Sequence, residues 1–246
     1  MTGLVKMTWN ETKLLWREPL AIFFSLAFPT LMLVILGIIP SFREPVKHMG
    51  GVRPIDLYVP ITVLFAITML GLTSLPTTLA TYREKGILRR MAVTPVPPTR
   101  VIQAQMLMSL FMGIGAVVLL LAVGRVVFAV PLPAQLAGFM LAFVLSAAAL
   151  FAMGLAIAAL MPNARAASAV GTLLYFPLMF FAGLWAPRAV MPAILRQISD
   201  FTPLGAGAQA MHDTTAGMWP QALHLLVMAV TVVVFSAIAS RLFRWQ

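Results

Sequence analysis

Apolar runs of about twenty residues recur along the whole chain, and this repetition constrains its fold more than any single motif does. A bilayer hydrocarbon core about 30 Å thick is crossed by about twenty helical residues, so each run is long enough to span one. Six spans are predicted, near residues 20–41, 56–80, 100–124, 134–160, 167–185 and 220–241. The strands of a membrane barrel would be roughly ten residues long and would alternate apolar with polar positions. These runs are unbroken, which leaves an all-α integral membrane protein in which residues 1–246 form one transmembrane domain. Composition agrees, since only 10% of the residues are charged against roughly a quarter in soluble domains.

The remaining charges report topology. A net charge of +10 is compatible with nucleic-acid binding, but seventeen basic residues spread between apolar spans are better explained by retention of Lys and Arg in the cytoplasm. With the N-terminus inside, eleven of them are inside: Lys6, Lys13, Arg17, Arg83, Lys85, Arg89, Arg90, Arg100, Arg165, Arg241 and Arg244. Six are outside: Arg43, Lys47, Arg53, Arg125, Arg188 and Arg196. Both termini are therefore expected in the cytoplasm, with the lipid bilayer and no nucleic acid as surroundings. The first span starts late for a signal peptide and lacks a small-residue cleavage site, so it is expected to be retained. The absence of cysteine removes disulfides and thiolate metal sites from consideration.

Residues 1–18 are predicted to form an amphipathic interfacial helix. Lys6, Asn10, Lys13 and Arg17 share one narrow arc, Leu4, Met7, Leu14 and Leu15 lie broadly opposite, and Trp9 and Trp16 share a flank. Glu11 is the exception, on the apolar side. Loops near 42–55 and 125–133 are too short for an external domain, and Met161 to Arg165 is only a turn, which leaves 82–98 as the one substantial cytoplasmic loop. The outer loop 186–219 contains a predicted short helix over Met191 to Ile198, then Pro203 and several glycines. Its apolar content fits helices that dip into the outer leaflet and equally an ordinary external loop. Ala148, Ala152 and Ala156 form a small-residue stripe that suits close helix packing, and Pro29, Pro60, Pro76 and Pro177 are positioned to kink spans. Thr73, Ser74, Thr77 and Thr78 are candidates to satisfy backbone groups freed near Pro76.

The loop itself is basic. Tyr82, Arg83, Glu84, Lys85, Gly86, Ile87, Leu88, Arg89, Arg90, Met91, Thr94 and Pro95 fall in one run of fourteen residues. Ile87, Leu88 and Met91 share one helical face while Arg89 and Arg90 point elsewhere, and Thr94-Pro95 with Pro97-Pro98 stops the helix. A short amphipathic knob of this kind suits a groove on a soluble partner, with apolar anchors and orienting charges. Charges fixing topology and touching anionic lipid account for the cations equally well.

Tyr82-Arg83-Glu84-Lys85-Gly86, Leu88-Arg89-Arg90 and Thr94-Pro95 resemble the cytoplasmic loop of the type-2 ATP-binding-cassette exporter permeases, in their drug and antibiotic export branch. A second, separate likeness lies in Phe180-Phe181-Ala182-Gly183-Leu184-Trp185, Pro187, Met191-Pro192, Leu195, Ile198 and Pro203-Leu204. The resemblance covers essentially the whole chain. It implies six transmembrane helices and a coupling helix that docks on a separate cytoplasmic ATPase, with two permease copies, a homodimer or a heterodimer, pairing with two ATPase copies. ATP and Mg would then be held by the ATPase, with no cofactor in this chain. It implies a bacterial cell membrane location and export of an amphipathic drug-like, lipid or glycolipid substrate, with Tyr82 to Pro95 as the ATPase-coupling contact. The family often carries an acidic residue near Arg89 and Arg90, where this chain has none.

What the sequence lacks points the same way. There is no G-x-x-x-x-G-K-[ST], because the four lysines are followed by Met7, Leu14, His48 and Gly86. The chain is therefore not expected to hydrolyse ATP by itself. Glu11, Glu18, Glu44, Asp56, Glu84, Asp200 and Asp213 are all read as lying outside the bilayer core, with Asp56 borderline, which weakens an ion-coupled secondary carrier or channel as the alternative. A membrane hydrolase has no constellation to stand on. His212-Asp213 reads as a polar loop pair, and His224 as a satisfied helical histidine.

Overall fold

A computed structural model describes residues 8–9, 11–13, 19–47, 51–87, 90 and 99–242. Helix dominates these residues, and the one extended pairing among them is a bridge between Val46 and Val52. Helix α1 comprises Pro19–Ile22, a π-helical turn at Phe23–Ala27, and Phe28–Ile38; α2 is the single turn Pro40–Arg43. Helix α3 is Pro54–Glu84, with a π-helical turn at Met69–Ser74, followed by α4, Thr99–Phe128, α5, Leu136–Leu160, and α6, Ala164–Ala182. After a 3-10 turn at Arg188–Val190 come α7, Ala193–Asp200, α8, Pro203–Thr215, and α9, Ala222–Leu242.

Helices α3, α4, α5, α6 and α9 are long and apolar enough to cross a membrane, and the first expected span is a shorter apolar helix, Phe23–Ile38. It stops before residue 41 because Ile39 precedes Pro40, and proline drives the residue before it into extended geometry (φ −72°, ψ 119°). The second span continues past residue 80 to Glu84, so Tyr82, Arg83 and Glu84 belong to the helix and not to the loop. The fifth ends at Ala182, short of the expected Trp185, where the Leu184 amide turns back to the Met179 carbonyl. Of the predicted interfacial helix, residues 8–9 and 11–13 are helical; Leu4, Lys6, Met7, Asn10, Leu14, Leu15, Trp16 and Arg17 lie outside the described residues.

Among apolar helices in lipid, close backbone approach rather than water exclusion selects the partners. Helix α3 is the most buried, with Leu64, Ile67, Leu70, Leu72 and Leu75 inaccessible and Phe139 and Phe143 of α5 against it. The outward faces of α4, α6 and α9 expose Phe111, Leu173 and Val233, as a lipid-facing surface would.

The π turn of α3 has a local cause. Pro76 has no amide for the Leu72 carbonyl, and the Leu75 amide bonds to Leu70 instead of Gly71. The Gly71 and Leu72 carbonyls thus both lose their usual helical donor. Gly154 of α5 packs on the first and Gly171 of α6 on the second, so closely that an added Cβ at either glycine would overlap the oxygen. The expected rescue by Thr77 does not occur, for its hydroxyl is buried without a hydrogen-bond partner among the described residues. A second π turn, in α1, likewise lies just before a proline, Pro29.

The outer loop is not irregular chain. Helix α8 packs against α3, α5, α6 and α9, burying Leu204, Ala206, Ala210 and Met211.

Candidate functional site

Two neighbouring side chains at the end of α3 reach opposite helix termini. The Arg83 Nη1 donates to the Ala158 carbonyl at 3.0 Å and its Nη2 donates to the Met161 carbonyl, both at the C-terminal end of α5. The Glu84 Oε1 accepts the amide of Ala164, the first residue of α6, at 2.7 Å. A cation thus meets the carbonyl end of one helix and a carboxylate the amide end of the next, each complementing the local dipole. Asn163 completes the α6 cap by accepting from the Ala166 amide at 2.8 Å. Tyr82 donates its hydroxyl to the Glu11 Oε2 at 2.8 Å, which explains an acid on the apolar side of the N-terminal helix.

Gly86 then ends α3 in the left-handed region at φ 64°, where a side chain is strained. Beyond it, the Arg90 amide donates to the Gly86 carbonyl at 3.0 Å and the Arg90 guanidinium donates to the Lys85 carbonyl at 2.8 Å. Leu88, Arg89, Met91, Thr94 and Pro95 lie outside the described residues. The predicted contact therefore divides. Tyr82, Arg83 and Glu84 bond to other helices, whereas the exposed Arg90 bonds only locally, to Lys85 and Gly86, among the described residues.

Between α1, α3 and α6 lies an apolar cavity of about 620 Å³ that the sequence did not reveal. Its wall is a relay of rings: Phe28 to Phe65 at 5.3 Å, Phe65 to Tyr175 at 5.7 Å, Tyr175 to Phe176 at 5.4 Å, and Phe176 stacked on Trp185 at 6.0 Å. Met32 and Met69 add deformable sulfur, and the π turn of α3 contributes Met69 and Thr73. Rings from helices distant in sequence meet here, so no local pattern marks them. Such a surface accommodates apolar and aromatic groups without demanding one shape.

The opposite end of the bundle holds a polar cluster. Arg188 Nη2 meets both Asp200 oxygens, Oδ1 at 2.6 Å and Oδ2 at 2.8 Å, and the His224 Nε2 lies 2.9 Å from Oδ1. Ser199 donates to the Phe181 carbonyl at 2.8 Å. These contacts tie α7 to α6, to the 3-10 turn and to the start of α9. Burial disfavours the Asp200 charge, but the hydrogen bonds from Arg188 and His224 outweigh it and hold the carboxyl below its ordinary range. His224 is thus satisfied at Nε2 only, for its buried Nδ1 has no partner among the described residues.

His212 and Asp213 correct a sequence expectation. They lie on α8, not in a loop, and Asp213 is 2% exposed. Its Oδ1 accepts from Gln209 at 2.8 Å, while Oδ2 has no partner among the described residues.

A family model described as ABC-2 type transporter matches residues 2–215, from the N-terminal segment through α8. No curated protein matches the chain.

Proposed function

The chain belongs to the ABC-2 type transporter family, and on that premise we propose that it is the membrane-spanning half of an exporter whose ATP hydrolysis occurs in a separate cytoplasmic subunit. Two copies of this chain pair with two ATPases in a bacterial cell membrane, both termini facing the cytoplasm. The tip after Gly86, with Lys85, Arg90 and the residues up to Pro95, inserts into the ATPase, and Tyr82, Arg83 and Glu84 carry its displacement into the bundle.

One observation carries this reading. Arg83 and Glu84, adjacent on α3, bond to both sides of the α5–α6 turn, which supports transmission of a displacement of the end of α3 to α5 and α6. The amphipathic substrate, drug-like, lipid or glycolipid, occupies the aromatic cavity between α1, α3 and α6, whose π turn borders both the cavity and the glycines of α5 and α6. Substrate and nucleotide then bias the same two-state bundle, so bound substrate alters ATPase turnover in the complex.

The test is reconstitution of the chain with a cognate ATP-binding-cassette ATPase. ATP-dependent efflux of an aromatic amphiphile, lost when the ATPase carries an inactive catalytic site, supports the proposal. Transport by the permease with no ATPase present overturns it.

Asp213, a buried acid with one unpartnered oxygen among the described residues, supports a second reading, an ion-coupled carrier. That reading requires flux driven by a pH or sodium gradient and abolished by Asp213→Asn.

A further inference from the structure

At the end of the bundle opposite the basic loop, the start of α3, the end of α6, α7 and α8 enclose a second cavity of about 230 Å³. One wall is apolar, formed by Leu57, Ile61, Phe181 and Ala208. The other carries Arg188, Arg196 and His212. Their polar groups are not equally occupied. Arg188 is neutralised by Asp200, whereas no ion pair reaches Arg196 among the described residues. The His212 Nδ1 is buried with no hydrogen-bond partner among them.

The depth of the cavity follows from α7. Ile194 and Ile198 on that helix, with Phe201 just beyond it, are 72%, 44% and 68% exposed and fall on one helical face, while Ser199 on another face is buried. A short helix that presents apolar side chains outward while its opposite face is tied into the protein rests in the membrane interface. The cavity beside it therefore opens at headgroup level, with its apolar wall running toward the acyl region. A guanidinium offers a planar pair of donors suited to a phosphate.

We propose that this cavity binds the phosphate of an anionic membrane lipid, with the Arg196 guanidinium donating to its non-bridging oxygens beside the His212 ring and an acyl chain along Leu57, Ile61 and Phe181. The site is separate from the aromatic cavity and does not depend on the export reading.

The test uses the full chain purified in a neutral maltoside detergent and titrated calorimetrically with three probes: dihexanoyl phosphatidylglycerol, dihexanoylglycerol and inorganic phosphate. Saturable binding of the phospholipid alone is expected. Arg196→Gln weakens it roughly tenfold or more, as loss of one charge-assisted hydrogen bond requires. Arg125→Gln, which removes an exposed arginine at the same end of the bundle but outside the cavity, leaves it unchanged. Unaltered melting temperatures establish that both variants are folded. Absence of saturable binding, equal losses in the two variants, or equally tight binding of dihexanoylglycerol or of free phosphate each overturns the proposal.

Discussion

The Glu84 carboxylate accepts the Ala164 amide at 2.7 Å, across eighty residues of sequence, and so joins the end of α3 to the start of α6. Its neighbour Arg83 does the same for the end of α5. Charge in the basic run thus has two employments, an inner one that braces helices and an outer one at the tip.

These employments separate on mutation. Glu84→Lys removes one of the two side-chain acceptors at the start of α6, leaving Asn163, and places a cation at an amide terminus, a cost of about 1 kcal/mol. Transport should fall at least tenfold while the ATPase still copurifies, because Glu84 bonds to α6. Arg90→Glu should do the reverse, reducing ATPase copurification with little change in the melting temperature of the permease alone. Equal loss of copurification in both variants would contradict the division.

The contacts of α3 through its π turn set a second expectation. Gly154→Ala forces a methyl group into the Gly71 carbonyl, and overpacking of this kind costs typically 1–3 kcal/mol. Thermal unfolding in detergent should show a clear drop for Gly154→Ala and for Gly171→Ala, which meets the Leu72 carbonyl. Gly115→Ala has open space around its Cβ and should be neutral or slightly stabilising through helix propensity.

The Arg188, Asp200 and His224 cluster predicts a dependence on pH. The Asp200 carboxyl is held below its ordinary value in the folded protein, so its contribution to stability is fully present above the unfolded pKa, near 3.9. That contribution is lost as pH falls below this value through the folded pKa. Wild type should therefore lose more stability than Asp200→Asn on acidification from pH 5 to pH 3. Melting temperatures across that range decide it.

The spans were legible because a twenty-residue apolar run needs no partner to be recognised, and even the early end of α1 is written in Ile39-Pro40. The basic run was legible for the same reason, as charge where charge is rare. What escaped was everything set by residues distant in sequence. The π turn of α3 depends on Gly154 and Gly171, eighty to a hundred positions away, as much as on Pro76. Glu11 looked misplaced until Tyr82 stood beside it. His212 and Asp213 read as loop because α8 has small residues and a polar end, yet small residues are what let it pack among α3, α5, α6 and α9. The aromatic cavity left no local trace, since Phe28, Phe65 and Trp185 come from separate elements.

Trp185 offers the most direct probe of that cavity. It is 52% exposed and stacks on Phe176 with ring centroids 6.0 Å apart, so its removal opens no interior void and melting should shift little. If the relay of rings receives the substrate, Trp185→Ala forfeits one stacking contact worth about 1 kcal/mol, and the KM for an aromatic amphiphile rises several-fold. The maximal rate stays near wild type, because Trp185 lies away from the brace formed by Arg83 and Glu84. Trp185→Phe restores most of the affinity, while Trp219→Ala, an exposed indole outside the cavity, leaves it unaltered. A fall in maximal rate with unchanged KM would instead place Trp185 in the conformational cycle and remove the cavity from substrate recognition.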